Sequence, residues 1–212
     1  MRRLDRSACT APACLANYQP GQHSWDHVGP DSKAEIRARL EIMQGRRCAY
    51  CEGSLDELGQ HIEHFRRKGA GQFPELTFDW NNLFWSCYQD DSCGRYKDLH
   101  AEAFDINDLI NPCVDDPDRF FRFRSDGTIS VKYGLSALDQ GRAEETLRVF
   151  NLHPQWGRLR NMRKCAVAPY IALASDATGF TVQELRDFFS DELAAASSSP
   201  FYTAIRHTLT EP

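Results

Sequence analysis

Residues 48–98 bring together imidazole, carboxylate, amide and thiol side chains in a pattern suited to phosphodiester hydrolysis. That reaction needs a base to activate water, a cation to neutralise charge on the phosphate, and groups that hold both in place. His64 suits the first task because an unperturbed imidazole titrates near pH ~6.5. Glu63 offers hard carboxylate oxygens of the kind that Mg²⁺ or Mn²⁺ prefers. We therefore take this pair as the candidate reaction centre.

The segment His61–His64 is predicted to be a strand, on which neighbouring side chains point to opposite faces. We expect a bend or bulge at Glu63, because only then could it share one site with His64. His61 lies on the same face as Glu63 and is a second candidate metal ligand. The competing interpretation is a polar strand edge whose histidines are simply hydrogen-bonded.

Four cysteines have the spacing of a structural zinc site. Cys48 and Cys51 form a Cys-x2-Cys knuckle, and Cys87 and Cys93 can supply two further thiolates. Four thiolates leave no position for water, so the expected zinc is structural and contributes to folding. The alternative is a redox pair with two core cysteines, but turn-like residues follow Cys51 where a redox motif continues into a helix. The sequence therefore predicts zinc.

The order of these motifs resembles that of HNH nucleases with the ββα-metal fold. The resemblance is carried by Cys48-Ala49-Tyr50-Cys51, His61-Ile62-Glu63-His64-Phe65-Arg66, Trp80-Asn81-Asn82-Leu83 and Cys93-Gly94-Arg95-Tyr96-Lys97-Asp98. Within that family the strings look most like the PtuB-type effectors of Septu and related retron antiphage systems. The resemblance implies an endonuclease with a catalytic Mg²⁺ or Mn²⁺, gated by an ATPase partner of the PtuA type.

The resemblance also implies roles for individual residues. His64 would be the general base and Glu63 a catalytic metal ligand. Asn82 would tie the neighbouring loop to the backbone and so orient His64, with Asn81 as the alternative.

One position departs from the family pattern. Many HNH enzymes carry His or Asn where this chain has Gly94, which offers no ligand atom. Asp98, one helical turn later, is the expected substitute, and His100 is a less favoured alternative. The candidate ligands of the catalytic metal are thus Glu63, Asp98 and His61.

Cationic residues are concentrated around the motif. We expect Lys97, Arg95 and Arg66 to contact phosphate groups, because cations recognise the nucleic-acid backbone without reading its sequence. The competing interpretation for each is an ordinary solvated surface residue.

The net charge of the chain excludes a protein that coats nucleic acid through bulk electrostatic attraction. The 212 residues carry a formal net charge of -5, so any such contact must come from a local basic patch or from a partner. We find no secretion signal and no apolar run long enough for a transmembrane helix, which predicts a cytoplasmic protein without a membrane partner. Oligomerisation within a larger complex is possible.

The predicted helices and strands that must position the site indicate the α+β fold class. A capping box at Ser32 predicts a helix that ends at Gly45, and residues 120–133 alternate as a β-hairpin. Helical patterns fill the rest, with Pro169 expected to bend or end one of them. We predict an N-terminal arm and helix over 1–45, a zinc-stabilised ββα-metal core over 46–112, and a mostly helical region with one hairpin over 113–212.

Two functions compete at this point. The first is a metal-dependent HNH endonuclease, with DNA as the favoured substrate and RNA as the alternative. The second is a zinc-stabilised nucleic-acid or protein-binding adaptor whose HNH site has decayed, as Gly94 suggests.

Overall fold

The computed structural model describes residues 1–69, 71–154, 157–176 and 179–210. About half of the chain is helical, and the strands form two separate antiparallel hairpins. The helices are α1 (Pro30–Gln44), α2 (Leu55–Leu58), α3 (Cys93–Leu99), α4 (Ala137–Val149), α5 (Arg158–Asp176), α6 (Val182–Ala195) and α7 (Tyr202–Thr210). The strands are β1 (His61–His64), β2 (Leu83–Ser86), β3 (Phe121–Phe123) and β4 (Ile129–Val131). The mixed helix-and-strand class predicted from the sequence is confirmed.

Helix α1 forms where the apolar spacing predicts it. Ile36 and Leu40 are fully buried on its inner face. Gly45 ends it in the left-handed conformation, at φ 60°, as a C-terminal glycine commonly does. The start differs from the prediction, because Pro30 occupies the first turn and the helix begins two residues before the capping box at Ser32.

The hairpin of β1 and β2 carries the chemical motif. Its register is continuous, with Glu63 opposite Phe84 and His64 opposite Leu83. The bulge expected at Glu63 is therefore absent from this pairing, and that prediction was wrong. Buried Gln44, at the end of α1, fastens the hairpin from outside through hydrogen bonds with the amide and carbonyl of Trp85, at 2.9 and 2.8 Å.

The C-terminal half contains the predicted hairpin and helices. Strands β3 and β4 pair antiparallel within the stretch where the alternation indicated them. Helix α6 begins with a capping box formed by Thr181 and Glu184. Pro169 lies inside α5 and does not end it, because the helix continues to Asp176.

The zinc-motif segment and the C-terminal half share one core. Tyr50 stacks on Phe150 at 4.2 Å between ring centroids, and the Cys93 amide donates to the Phe150 carbonyl at 2.8 Å. The Thr203 amide of α7 donates to the buried Glu52 carboxylate at 3.0 Å. The division into segments 1–45, 46–112 and 113–212 stays a prediction. Among the described residues, no helix combines the length and apolar character that crossing a bilayer requires.

Candidate active site

Four cysteine sulfurs converge at the end of the β1–β2 hairpin. The Sγ atoms of Cys48, Cys51, Cys87 and Cys93 all lie within 4.8 Å of one another, and all four residues are buried. A tetrahedral zinc about 2.3 Å from each sulfur would separate the sulfurs by roughly 3.8 Å, a spacing compatible with this cluster. Burial raises the pKa of Cys93, and a bound cation would oppose this effect by stabilising the thiolate. The cluster could bind zinc, as its spacing predicted.

The chain positions these thiols through tight turns. Cys48 donates its amide to the Gly53 carbonyl at 3.0 Å, which closes the knuckle, and Ala49 donates to Trp85 of β2 at 3.0 Å. Cys93 starts α3 at φ 62°, a left-handed conformation that turns its side chain back toward the knuckle. The thiol cluster thus links the knuckle, β2 and α3.

Beside the thiols, Glu63 is the centre of a buried ionic network. Its Oε2 lies 3.0 Å from His61 Nε2, and its Oε1 lies 2.9 Å from Lys97 Nζ. Lys97 also donates to Asp98 Oδ1 at 2.5 Å and to the His64 carbonyl at 3.2 Å. Burial raises the pKa of Glu63, but the charge of Lys97 and the bond from His61 outweigh it and lower the pKa to about 2. Glu63 is therefore ionised.

The same carboxylate explains the glycine at the unusual position. A Cβ on Gly94 would lie 2.4 Å from Glu63 Oε2 and 2.5 Å from its Cδ. Side-chain atoms almost never approach so closely, so Glu63 fills the space that a ligand side chain at residue 94 would need. The glycine is thus required by packing around Glu63.

His64 points away from this network. Its Nε2 lies 2.9 Å from the Thr77 carbonyl, and its ring meets Trp25 edge-on at 4.5 Å between centroids. Only 4% of the residue is exposed. Burial and the charge of Lys68 lower the pKa of His64 to about 4, although the bond to Thr77 opposes them. In the described part of the chain, no group hydrogen-bonds to its Nδ1.

Asn82 anchors the loop that follows β1. Its Oδ1 accepts from the Arg66 amide at 2.7 Å, and its Nδ2 donates to the carbonyls of Arg66 and Leu76 at 2.9 and 3.1 Å. Leu76 directly precedes Thr77, so these bonds fix the carbonyl that holds His64. Asn81 is exposed and its side chain bonds only to Asp79 among the described residues.

The three residues predicted to contact phosphate lie in different environments. Arg66 is partly exposed and donates to Asn107 at 2.9 Å, and Arg95 is partly exposed and paired with Asp90. Lys97, by contrast, is fully buried. Its amine could reach a phosphate only by exchanging bonds that it makes within the chain, so its predicted contact stays a prediction.

The sequence reasoning missed two residues that shape this site. Thr77 contributes only its backbone carbonyl, so no residue type could have identified it. Trp25 comes from the N-terminal arm, far along the chain from His64, and only its aromatic character indicated that the arm packs on something.

The residues predicted to bind a catalytic divalent ion have donor atoms of types that suit such an ion. Glu63, Asp98 and His61 form one connected group of hard oxygen and imidazole donors. Glu63 Oε1 is buried and its approach to Lys97 lacks hydrogen-bond geometry, so it retains a lone pair inside the site. Lys97 lies between the two carboxylates.

Comparison with known proteins gives three informative relatives, and no protein-family model matches the chain. It is 28% identical to the Septu protein PtuB of Bacillus mycoides over 142 residues, which are 56% of this chain and 46% of that protein. It is 36% identical to the Septu protein PtuB of Bacillus thuringiensis over 87 residues, 40% of this chain and 31% of that one. It is 27% identical to the "Retron Vc95 putative HNH endonuclease" of Vibrio cholerae over 150 residues, 68% and 69% of the two chains.

The matched region spans less than half of each PtuB protein and about two thirds of the retron protein. Two of these relatives carry the name that the motif strings pointed to, and the third is named for the same nuclease class. The resemblance predicted from the motifs is therefore confirmed: the chain is a homologue, at modest identity, of Septu PtuB proteins and of a retron protein named as a "putative HNH endonuclease".

Proposed function

We propose that this protein is a metal-dependent HNH endonuclease that hydrolyses phosphodiester bonds of nucleic acid, with DNA as the favoured substrate, in an antiphage system. The observation that supports it most is the setting of His64. One ring nitrogen is anchored to a backbone carbonyl and the other lacks a partner in the described chain. Its neighbour Glu63 lies in a group of carboxylates that already holds one cation, the Lys97 ammonium.

His64 has the properties of a general base. If Nε2 carries the proton that is donated to Thr77, Nδ1 carries the lone pair that accepts a proton from water. The lowered pKa, about 4, keeps the ring in this neutral form at pH ~7. Trp25 of the N-terminal arm packs edge-on against the ring.

Asn82 serves as the positioning residue. Its three bonds to backbone groups of Arg66 and Leu76 hold the loop that presents the Thr77 carbonyl. A fixed carbonyl selects one tautomer and one orientation of His64. This is the role that the resemblance implied for Asn82, and Asn81 lacks the contacts for it.

Glu63, Asp98 and His61 would hold the catalytic Mg²⁺ or Mn²⁺. When bound, such an ion neutralises charge on the phosphate and on the leaving oxygen. Arg66 and Arg95 are partly exposed and would contact the neighbouring phosphates. Because the net charge is -5, these local contacts are weak, and we propose that an ATPase partner brings or licenses the substrate.

Plasmid cleavage tests the proposal. Zinc-loaded protein, alone and with the proposed ATPase partner, is incubated with supercoiled plasmid or with tRNA in Mg²⁺ or Mn²⁺. Wild type should cleave the plasmid, and His64→Ala at equal zinc content should not. Cleavage of tRNA alone would correct the substrate from DNA to RNA.

The adaptor function is the second candidate, favoured by one observation. Lys97 already neutralises the acidic group, as expected of a site that has lost its metal. If wild type and His64→Ala are both inert with the partner present, yet wild type still binds nucleic acid or the ATPase, the adaptor function replaces the nuclease.

A further inference from the structure

Lys97 is a cation that the fold buries completely. Its side chain is 0% exposed, although lysine almost always keeps its ammonium in water. Burying a charge is costly unless oxygen acceptors compensate for the lost hydration. The Lys97 ammonium must therefore be surrounded by oxygen acceptors that replace its water of hydration.

Three oxygens from three residues form that set. Lys97 Nζ lies 2.9 Å from Glu63 Oε1, 2.5 Å from Asp98 Oδ1 and 3.2 Å from the His64 carbonyl. Two carboxylates and one carbonyl are also a donor set that suits a divalent cation. The ammonium thus occupies the middle of the group that was predicted from the sequence as the catalytic metal site.

The surrounding groups contact the Glu63 carboxylate on several sides. Glu63 Oε2 is held by His61 at 3.0 Å, and the backbone of Gly94 lies against the same carboxylate. Asp98 Oδ1, which accepts from Lys97, also accepts from Arg67 Nε at 3.2 Å. A metal ion entering this group would therefore meet the ammonium first.

We propose that Lys97 is a resident cation that competes with the divalent ion for Glu63 and Asp98, and so sets the metal affinity of the site. Metal binding releases the Lys97 ammonium from these oxygens. The released side chain, in the last turn of α3, is then free to contact a substrate phosphate, the role predicted for it from the sequence. This inference rests on the proposed function, because it assumes that the acidic group takes a metal.

Direct measurement of Mn²⁺ binding tests the competition. Free Mn²⁺ is titrated by electron paramagnetic resonance against the zinc-loaded full chain, without nucleic acid or partner. Lys97→Met, which keeps the side-chain volume and removes the charge, should bind Mn²⁺ about tenfold more tightly than wild type or better, because the like charge is gone. Adding Glu63→Gln to Lys97→Met should abolish that gain.

Lys164→Met is the matched control, because Lys164 is exposed on α5 and should leave the affinity unchanged. Equal Mn²⁺ affinity in wild type and Lys97→Met overturns the proposal, as does a gain that survives Glu63→Gln. If Lys97→Met loses its zinc or its fold, the ¹⁵N signal of the Lys97 ammonium in wild type decides. A shift on adding Mg²⁺ supports competition, and an unchanged signal overturns it. Because these experiments do not measure cleavage, a negative result leaves the nuclease proposal standing.

Discussion

Replacing Gly94 by alanine should destabilise the protein through one contact, that with the Glu63 carboxylate. The new Cβ would lie 2.4 Å from Oε2, 2.5 Å from Cδ and 2.9 Å from Cγ of Glu63. Relief to van der Waals distance requires Glu63 to move by roughly 1 Å. The carboxylate is 2% exposed and held by His61 and Lys97, so this movement disturbs a buried ion pair.

The size of the effect follows from opposing contributions. Overpacking a core costs about 1–3 kcal/mol, and disrupting a buried ion pair costs about 3–5 kcal/mol when one partner is lost outright. Alanine returns at most about 1 kcal/mol, because it favours helix over glycine in the first turn of α3. We expect a net loss of about 2–4 kcal/mol in the free energy of unfolding.

Urea unfolding of the zinc-loaded protein measures this loss. Gly141→Ala is the matched control: Gly141 lies in α4 with no atom within 4 Å of a built Cβ, so the change should stabilise by about 0.5–1 kcal/mol. In a Glu63→Ala background the space is free, and Gly94→Ala should cost nothing. A Gly94→Ala protein as stable as wild type would refute the packing explanation of this glycine.

Three further changes test other parts of the site. Cys87→Ser should prevent stable folding at neutral pH, seen as loss of bound zinc and of helical circular dichroism, because zinc coordination contributes about 10 kcal/mol or more to such folds; a folded, zinc-free Cys87→Ser protein would contradict this. Asn82→Ala should lower the free energy of unfolding by about 2 kcal/mol and the cleavage rate by at least about tenfold. Asn81→Ala, at an exposed position, should change neither. Equal effects of the two substitutions would show that Asn82 has no special role. The pKa of His64 is about 4 when folded and about 6.5 when unfolded, so the unfolded state binds the proton first and stability falls as the pH drops from about 6.5 to about 4. In His64→Gln the free energy of unfolding should fall by roughly 3 kcal/mol less over this pH range than in wild type. Parallel pH–stability curves for the two proteins would contradict the lowered pKa.

Much of the fold could be predicted from the sequence because local patterns of residues specify it. The apolar spacing before Gly45 and the alternation in residues 120–133 are short-range signals, and both elements form. The thiol cluster was predictable because metal-ligand spacing restricts which residues can meet. Pro169 misled the prediction, since α5 continues through it.

The geometry of the site depended on long-range contacts that no local pattern encodes. A bulge at Glu63 was expected so that it could face His64, but the regular pairing sends their side chains to different partners. Lys97 connects the two by reaching the carboxylate of one and the carbonyl of the other. Likewise, Gly94 suggests a lost ligand in sequence, whereas in three dimensions Glu63 occupies that volume.

The most direct test of this account is the single-turnover cleavage rate of a labelled duplex by wild type and by His64→Ala, at equal zinc content and with the proposed ATPase partner and Mg²⁺ present. Loss of a general base should slow cleavage by about 10²–10⁴-fold while leaving substrate binding intact. A His64→Ala protein that cleaves within about threefold of wild type would show that this imidazole is not the base, and would contradict the proposed mechanism.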